Sequence, residues 1–155
     1  MNFTIQVADL ENPAQAKALV EIIDSYASGP GGRDEPLSVQ ARSTLVRGLA
    51  EHPSATVLLA FVESEPVATA VCLWGFSTFA GMPSLNIHDL AVLPAFQRRG
   101  IGRALIAEVE RRARERGCCK ITLEVHDTNE GAKGLYRSLG FGPWDPPTLF
   151  VAKPL

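Results

Sequence analysis

Apolar and polar residues alternate along Phe3-Thr4-Ile5-Gln6-Val7, the period of a half-buried strand. Asn12 followed by Pro13 suits the cap and first position of a helix, and Ala16, Leu19, Val20, Ile23 and Ala27 then recur on one helical face. Residues 28–36 are rich in glycine and proline and carry Arg33, Asp34 and Glu35, which predicts a mobile loop. Ser38 is placed to cap a second helix running to about Glu51, with Leu45, Val46 and Leu49 inward. Two apolar runs, 56–63 and 67–74, flank Ser64-Glu65-Pro66 as a hairpin would, and residues 75–83 either lengthen its second arm or loop out. A strand over 85–92 follows. A helix over 100–116 then puts Ile101, Leu105, Val109 and Ala113 on its buried face, with Gly117 to stop it. Residues 120–125 form the next strand, 126–129 a turn, 130–139 a short helix ending at Gly140, and 148–152 a last strand.

This order of elements fits a mixed sheet flanked by helices. With 155 residues, no repeat and no second composition regime, the chain reads as a single domain over residues 1–155. Its 46% apolar and 21% charged residues are those of an ordinary globular protein. A formal net charge of −2 gives no bulk attraction to nucleic acid or anionic membrane. Arg111, Arg112, Arg114 and Arg116 crowd one helix end without interleaved aromatic residues, so they read as a solvated face that complements the helix dipole. No apolar stretch reaches the ~18 residues of a membrane span, and residues near Met1 lack the order of a signal peptide. Three cysteines, two of them adjacent, fit a reducing cytoplasm and core packing better than a disulfide scaffold, and no metal-ligand spacing is present.

Most of the chemistry converges on residues 90–103. Leu90-Ala91-Val92-Leu93-Pro94 reads as a strand end, Gln97-Arg98-Arg99-Gly100 as a tight turn, and Ile101-Gly102-Arg103 as the first helical turn. Such a turn leaves backbone amides unpaired at the positive end of a helix dipole, a site for phosphate or pyrophosphate. The P-loop ending Gly-Lys-Ser/Thr is absent, and so is the early strand–glycine unit of a dinucleotide fold.

Residues 97–102 (Gln-Arg-Arg-Gly-Ile-Gly) resemble the Gln/Arg-x-x-Gly-x-Gly/Ala signature of the GNAT superfamily of acyl-CoA-dependent N-acyltransferases. Asp89 to Pro94 upstream, and Asn129, Ala132, Leu135-Tyr136 and Gly140-Phe141 downstream, match further family positions in order and spacing. The resemblance covers roughly the second half of the chain; the first 80 residues match only in their order of elements. It implies an α/β (α+β) fold with a mixed, mostly antiparallel sheet containing a splayed parallel pair, here 85–92 and 121–125. It also implies a role for acetyl-CoA as co-substrate. Its pantetheine arm would pair with the strand at Leu90, Ala91 and Val92, and its pyrophosphate would lie on the turn formed by Gln97, Arg98, Arg99, Gly100, Ile101, Gly102 and Arg103.

Several residue roles stay open in the sequence. Asn129 suits a cofactor contact, a helix cap, or both. Tyr136 is either the acid that protonates the departing thiolate or a half-buried aromatic beside Leu135 and Leu139. Many family members carry a glutamate where this chain has His88, which makes His88 the candidate base, with Glu124, Asp127 or an ordered water as alternatives. Strict alternation puts Asn86 and His88 on one face and Asp89 on the other, unless a bulge intervenes. Trp74, Phe76 and Phe79 either line an acceptor pocket or pack in the core, and Asp34 and Glu35 either attract a cationic amine or stay solvated.

The resulting expectation is a cytoplasmic N-acetyltransferase acting by direct transfer to a small cationic amine or an amino-acid-like molecule, without nucleic-acid or membrane partners. The alternatives are a protein N-terminus or lysine as acceptor, and a non-catalytic acyl-CoA sensor. A homodimer is compatible with the fold.

Overall fold

The long apolar runs assemble into a five-stranded sheet of order β1-β2-β3-β4-β5, formed by β1 (Phe3–Val7), β2 (Ala55–Val62), β3 (Glu65–Ser77), β4 (Met82–Val92) and β5 (Ile121–Leu123). Strands β1 to β4 pair antiparallel, whereas β5 pairs parallel with β4 over Leu85↔Ile121, Asn86↔Thr122 and Ile87↔Leu123. The structure is a computed structural model and describes residues 1–155. The chain divides into two compact units, Met1–Glu124 and Val125–Leu155.

In the first unit, helix α1 (Pro13–Ser28) is capped by Asn12, whose Oδ1 accepts from the amides of Ala14 and Gln15. Helix α2 (Val39–Glu51) is capped by Ser38, whose Oγ accepts from the Ala41 amide. Leu19, Ile22 and Ile23 of α1 form a core with Val57, Leu59, Val71 and Ala91, and Leu45 and Leu49 of α2 pack against it. Ile22 therefore joins the buried face predicted for this helix, while Ala16 and Val20 are only half-buried. Helix α3 (Ile101–Glu115) buries Ile101, Leu105, Ile106, Val109 and Ala113. It lies on the opposite sheet face: Arg112 is near Cys72, and the Arg116 guanidinium stacks on Trp74 at 4.0 Å.

The loop between α1 and α2 is stapled, not loose. Arg33 and Glu35 both donate backbone N–H bonds to the Ala27 carbonyl, at 2.9 and 3.3 Å. Asp24 accepts from the Leu37 amide at 2.7 Å and pairs with Arg42 at 2.6 Å. Gly32 is pressed onto α1 so closely that a Cβ would lie 2.4 Å from the Tyr26 carbonyl oxygen. Glycine and proline here serve close backbone packing.

The hairpin between β3 and β4 continues to Ser77 and Met82, which decides the question left by residues 75–83. It leaves Phe76 and Phe79 exposed, whereas Trp74 donates its indole N–H to Thr56 Oγ1 at 2.9 Å. On α3, Glu108 accepts from Arg111 and Arg112, Arg111 also bonds Glu115, and Arg114 bonds Glu110. These i,i+3 and i,i+4 pairs turn the arginine-rich face into a self-neutralised one. Hydrogen bonding from Arg111, reinforced by Arg112, holds the Glu108 carboxyl down at about 2.

The second unit contains helix α4 (Glu130–Ser138). No strand forms at 148–152: residues 141–155 carry no regular element, and Leu149, Phe150 and Val151 are exposed. Alternating or apolar residues make a strand only where a neighbour supplies backbone partners, and this segment has none. Likewise β5 is limited to Ile121–Leu123, shorter than the 120–125 expected.

Two outcomes test this packing. Gly32→Ala should cost about 1–3 kcal/mol through overpacking, lowering Tm by about 2–4 °C per kcal/mol in a chain of this size; calorimetry decides, and an unchanged Tm would refute the close approach. A carboxyl with a depressed folded pKa stabilises above its unfolded pKa, and that contribution fades as pH falls through the folded value. Urea unfolding of Glu108→Gln should therefore lose less stability than the parent between pH 4.5 and about 2.

Candidate active site

The edge of β4 is where the sheet stops pairing. Its parallel ladder to β5 ends at Ile87, although β4 itself runs on to Val92. The Asn86 carboxamide holds the short ladder, donating from Nδ2 to Thr122 Oγ1 at 3.0 Å and to the Thr122 carbonyl at 3.3 Å. Leu93 donates its N–H back to Val67 O on β3. Alternation along the strand therefore turns the peptide groups of Leu90 and Val92 to the opposite, open side. Ala91 faces the other way, with its backbone towards β3 and its methyl in the core, 3% exposed.

A β-bulge lies next to the end of the ladder. Val71 stands opposite Asp89 and Cys72 opposite Ile87, so His88 is the extra residue. Directly opposed residues share a face. Asp89 thus points to the α1 side with Val71, as Asn86 does with Leu73, whereas Leu85, Ile87, Leu90 and Val92 face α3. The simple alternation expected from sequence, with Asn86 and His88 together and Asp89 apart, is broken by that one inserted residue.

His88 is exposed, while Asp89 is half-buried and its carboxyl accepts no hydrogen bond and forms no ion pair. Burial pushes the Asp89 carboxyl above its usual range, and the nearby His88 works the other way. Tyr26 of α1 faces the same spot; burial and then the Asp89 charge raise its phenol. Burial also pushes the Cys72 thiol up to about 12, which disfavours a thiolate nucleophile and agrees with a packing role.

Beyond β4, Pro94–Phe96 form a single 3₁₀ turn and Gly100 caps α3. Arg98 and Gly100 adopt positive φ, 61° and 84°. No backbone carbonyl of the protein accepts from the amides of Arg98, Arg99, Gly100, Ile101 or Gly102. Successive amides freed in this way at a helix N-terminus make an anion-binding concavity. The Gln97 side chain has a separate job: its Nε2 donates to Val92 O at 3.0 Å, bracing the turn against the strand end. Arg99 stacks on Phe96 at 5.6 Å.

In the second unit, Asn129 caps α4 by accepting from the Ala132 amide through Oδ1 at 3.1 Å. That bond orients the carboxamide and leaves Nδ2 as a donor with no partner in the protein. The cap and a ligand contact are thus compatible uses of one side chain. Tyr136 is buried, 7% exposed, with its ring tilted against Phe141 at 5.7 Å. Lys133 binds Asp127 at 2.8 Å and thereby holds the Asp127 carboxyl below its ordinary range. A carboxylate committed to an ammonium in this way is a poor proton acceptor. His52 accepts from the Ser54 amide through Nδ1 and serves a turn, and no group of His, Cys, Asp and Glu is placed to hold a metal ion.

Sequence reasoning missed the orientation of Asp89, the facing Tyr26, the side-chain brace of Gln97 and the burial of Lys133. Only Lys133 left a trace in the sequence, as a cation in the first turn of a helix, where the dipole disfavours it.

Comparison with known proteins gives the family of the chain. The chain is 26% identical over 129 residues to a thialysine N-epsilon-acetyltransferase of Caenorhabditis elegans, covering 83% of this chain and 78% of that protein. Its fold is similar to that of an aminoglycoside acetyltransferase from an uncultured soil metagenomic sample, with a TM-score of 0.80, 19% identity and coverage of 99% and 97% of the two chains. It is also similar to that of a ribosomal-protein-alanine N-acetyltransferase from Brucella melitensis, with a TM-score of 0.77, 18% identity and coverage of 98% and 99%. The model of the acetyltransferase (GNAT) family matches residues 17–141, from α1 through Phe141. With that span, and with a mixed sheet whose one parallel pair ends early, the chain belongs to the GNAT family of acetyltransferases.

Proposed function

We propose that this acetyltransferase moves an acetyl group from acetyl-CoA to a primary amine by direct attack, with a small cationic or amino-acid-like molecule as acceptor. The observation that carries the donor assignment is the run of unpartnered amides from Arg98 to Gly102 behind the open edge of β4. The turn has the donors and dipole for a pyrophosphate, and Arg98, Arg99 and Arg103 add charge. The N–H and C=O of Leu90 and the N–H of Val92 can pair with the amide-bearing pantetheine arm as an added strand would, while the Val92 carbonyl is held by Gln97. Asn129 offers its Nδ2 donor to the cofactor.

The amine must lose a proton before its nitrogen attacks the thioester carbonyl. His88, exposed at the bulge, is the proposed base. The tetrahedral intermediate then collapses with cleavage of the carbon–sulfur bond, and Tyr136 is the proposed donor of the proton taken up by the departing thiolate. No cysteine is required, in keeping with a buried Cys72 and direct transfer. For the acceptor, the supporting observation is Asp89: a half-buried carboxylate without a partner, on the α1 side of the bulge, is suited to a ligand ammonium. The C. elegans relative is named for a thialysine amine, which supports an amino-acid-like acceptor.

Release of CoA thiol from acetyl-CoA, measured across polyamines, aminoglycosides, amino acids and peptides, tests the reading. Turnover is expected with one class of cationic amine, and Tyr136→Phe and His88→Ala should each lower kcat by about 10²-fold, the scale of general acid or base catalysis. CoA binding without turnover on any amine would replace the enzyme reading with that of a sensor. Turnover confined to peptides would make a protein the acceptor.

Asp89→Asn should raise KM for the amine and also make the protein more stable at neutral pH. A raised carboxyl pKa means that the folded state loses stability as pH climbs from the unfolded value through the folded one, and the amide removes that loss. Urea unfolding at pH 3 and pH 7 checks the sign; a variant less stable than the parent at pH 7 would show that Asp89 is a structural anchor.

A further inference from the structure

Lys133 is the most buried charged side chain of the chain, with its residue 8% exposed, and it lies in the first turn of α4, where a cation opposes the helix dipole. Such a placement needs compensation, and the compensation is concentrated on one turn. Nζ donates to Asp127 O and Asp127 Oδ1, both at 2.8 Å, and to Glu130 Oε1 at 3.0 Å. An ammonium has three donors, so none is left over. The acceptors bracket Asn129, two residues before it and one after. The same turn is closed by the Asn129 amide donating to His126 O at 2.9 Å and the Glu130 amide donating to Thr128 O at 3.1 Å. With Oδ1 of Asn129 bound to the Ala132 amide, its Nδ2 is the one polar atom of that side chain held ready for a ligand.

Stability alone is a weak reason for this arrangement. The side chains of Asp127 and Glu130 are 100% and 73% exposed. Ion pairs to exposed carboxylates contribute little to folding, and an apolar side chain would fill a buried helix position without losing the solvation of a charge. What the lysine supplies, and a leucine or methionine cannot, is a fixed path for the backbone of residues 127–130. A donor held in place before the ligand arrives spares the ligand the entropy of ordering it.

We propose that Lys133 is a positioning residue for the acetyl donor, clamping the turn ahead of α4 so that Asn129 presents its Nδ2 to the cofactor in one orientation. The proposal rests on the cofactor role given to Asn129 above. The test is the affinity of the full chain for CoA, measured by titration calorimetry for the parent, Lys133→Met, Asn129→Ala and the double variant, with Tm recorded for each. Lys133→Met is expected to weaken CoA about 3- to 10-fold, the weight of one hydrogen bond. The double variant is expected to bind no more weakly than Asn129→Ala alone, because Lys133 acts through that residue.

Should Lys133→Met fail to fold, Asp127→Asn combined with Glu130→Gln loosens the clamp from its exposed side and should weaken CoA in the same direction. A lowered Tm with CoA affinity unchanged would make Lys133 a purely structural residue and overturn the proposal. So would a loss that adds in full to that of Asn129→Ala. If Asn129→Ala itself leaves CoA affinity intact, the cofactor role of Asn129 fails first, and the clamp has nothing to position.

Discussion

The parallel ladder between β4 and β5 is short, and the first unit is arranged around its ending at Ile87. A strand that loses its neighbour while still rigidly paired on its other side presents peptide groups to whatever can hydrogen-bond there. Here β3 stays paired with β4 all the way to Val92, so the open edge is backed by a neighbour along its length. Asn86 on Thr122 secures the last paired residues, and the bulge at His88 follows at once. The bulge changes which residues face α1: without it, Asp89 and Ala91 could not both be on that side together with Asn86.

The charge distribution follows a similar economy. Most arginines of α3 are bound by carboxylates one turn away, so that the C-terminal half of the helix projects little net field. The N-terminal end keeps its unpartnered amides, with Arg98 and Arg99 exposed beside them. With a formal net charge of −2 the protein has no bulk positive field, so the positive potential supplied by these amides and arginines is local. The left-handed backbone at Arg98 and Gly100 is part of this, since it turns consecutive amides towards one point.

The second unit solves a different problem with few residues. Its helix begins at a capping Asn129, carries a buried Lys133 and Tyr136, and ends in a left-handed Gly140 after which Phe141 returns to the Tyr136 ring. The Phe141 amide donates to the Tyr136 carbonyl at 3.1 Å, which fixes that return. One short helix thus holds both a polar donor and a phenol through contacts that are almost all local in sequence.

Locality explains what the amino-acid sequence determined by itself. Helix caps at Asn12, Ser38 and Asn129, the stops at Gly117 and Gly140, the strand periodicity and the glycine turn before α3 depend on neighbours within a few residues, and each was legible. The family was legible too, because its motifs are contiguous. Tertiary structure decided the rest. The bulge at His88 arises from the register of β4 against β3, a relation between residues distant in sequence, and no pattern along one strand encodes it. The loop after α1 reads as loose by composition but is tied by Asp24 and by the carbonyl of Ala27. Residues 148–152 have the composition of a strand and form none, since a strand exists only through its partner. Asp89 could be named from the sequence, but its burial, its isolation and the face it occupies came only with the fold.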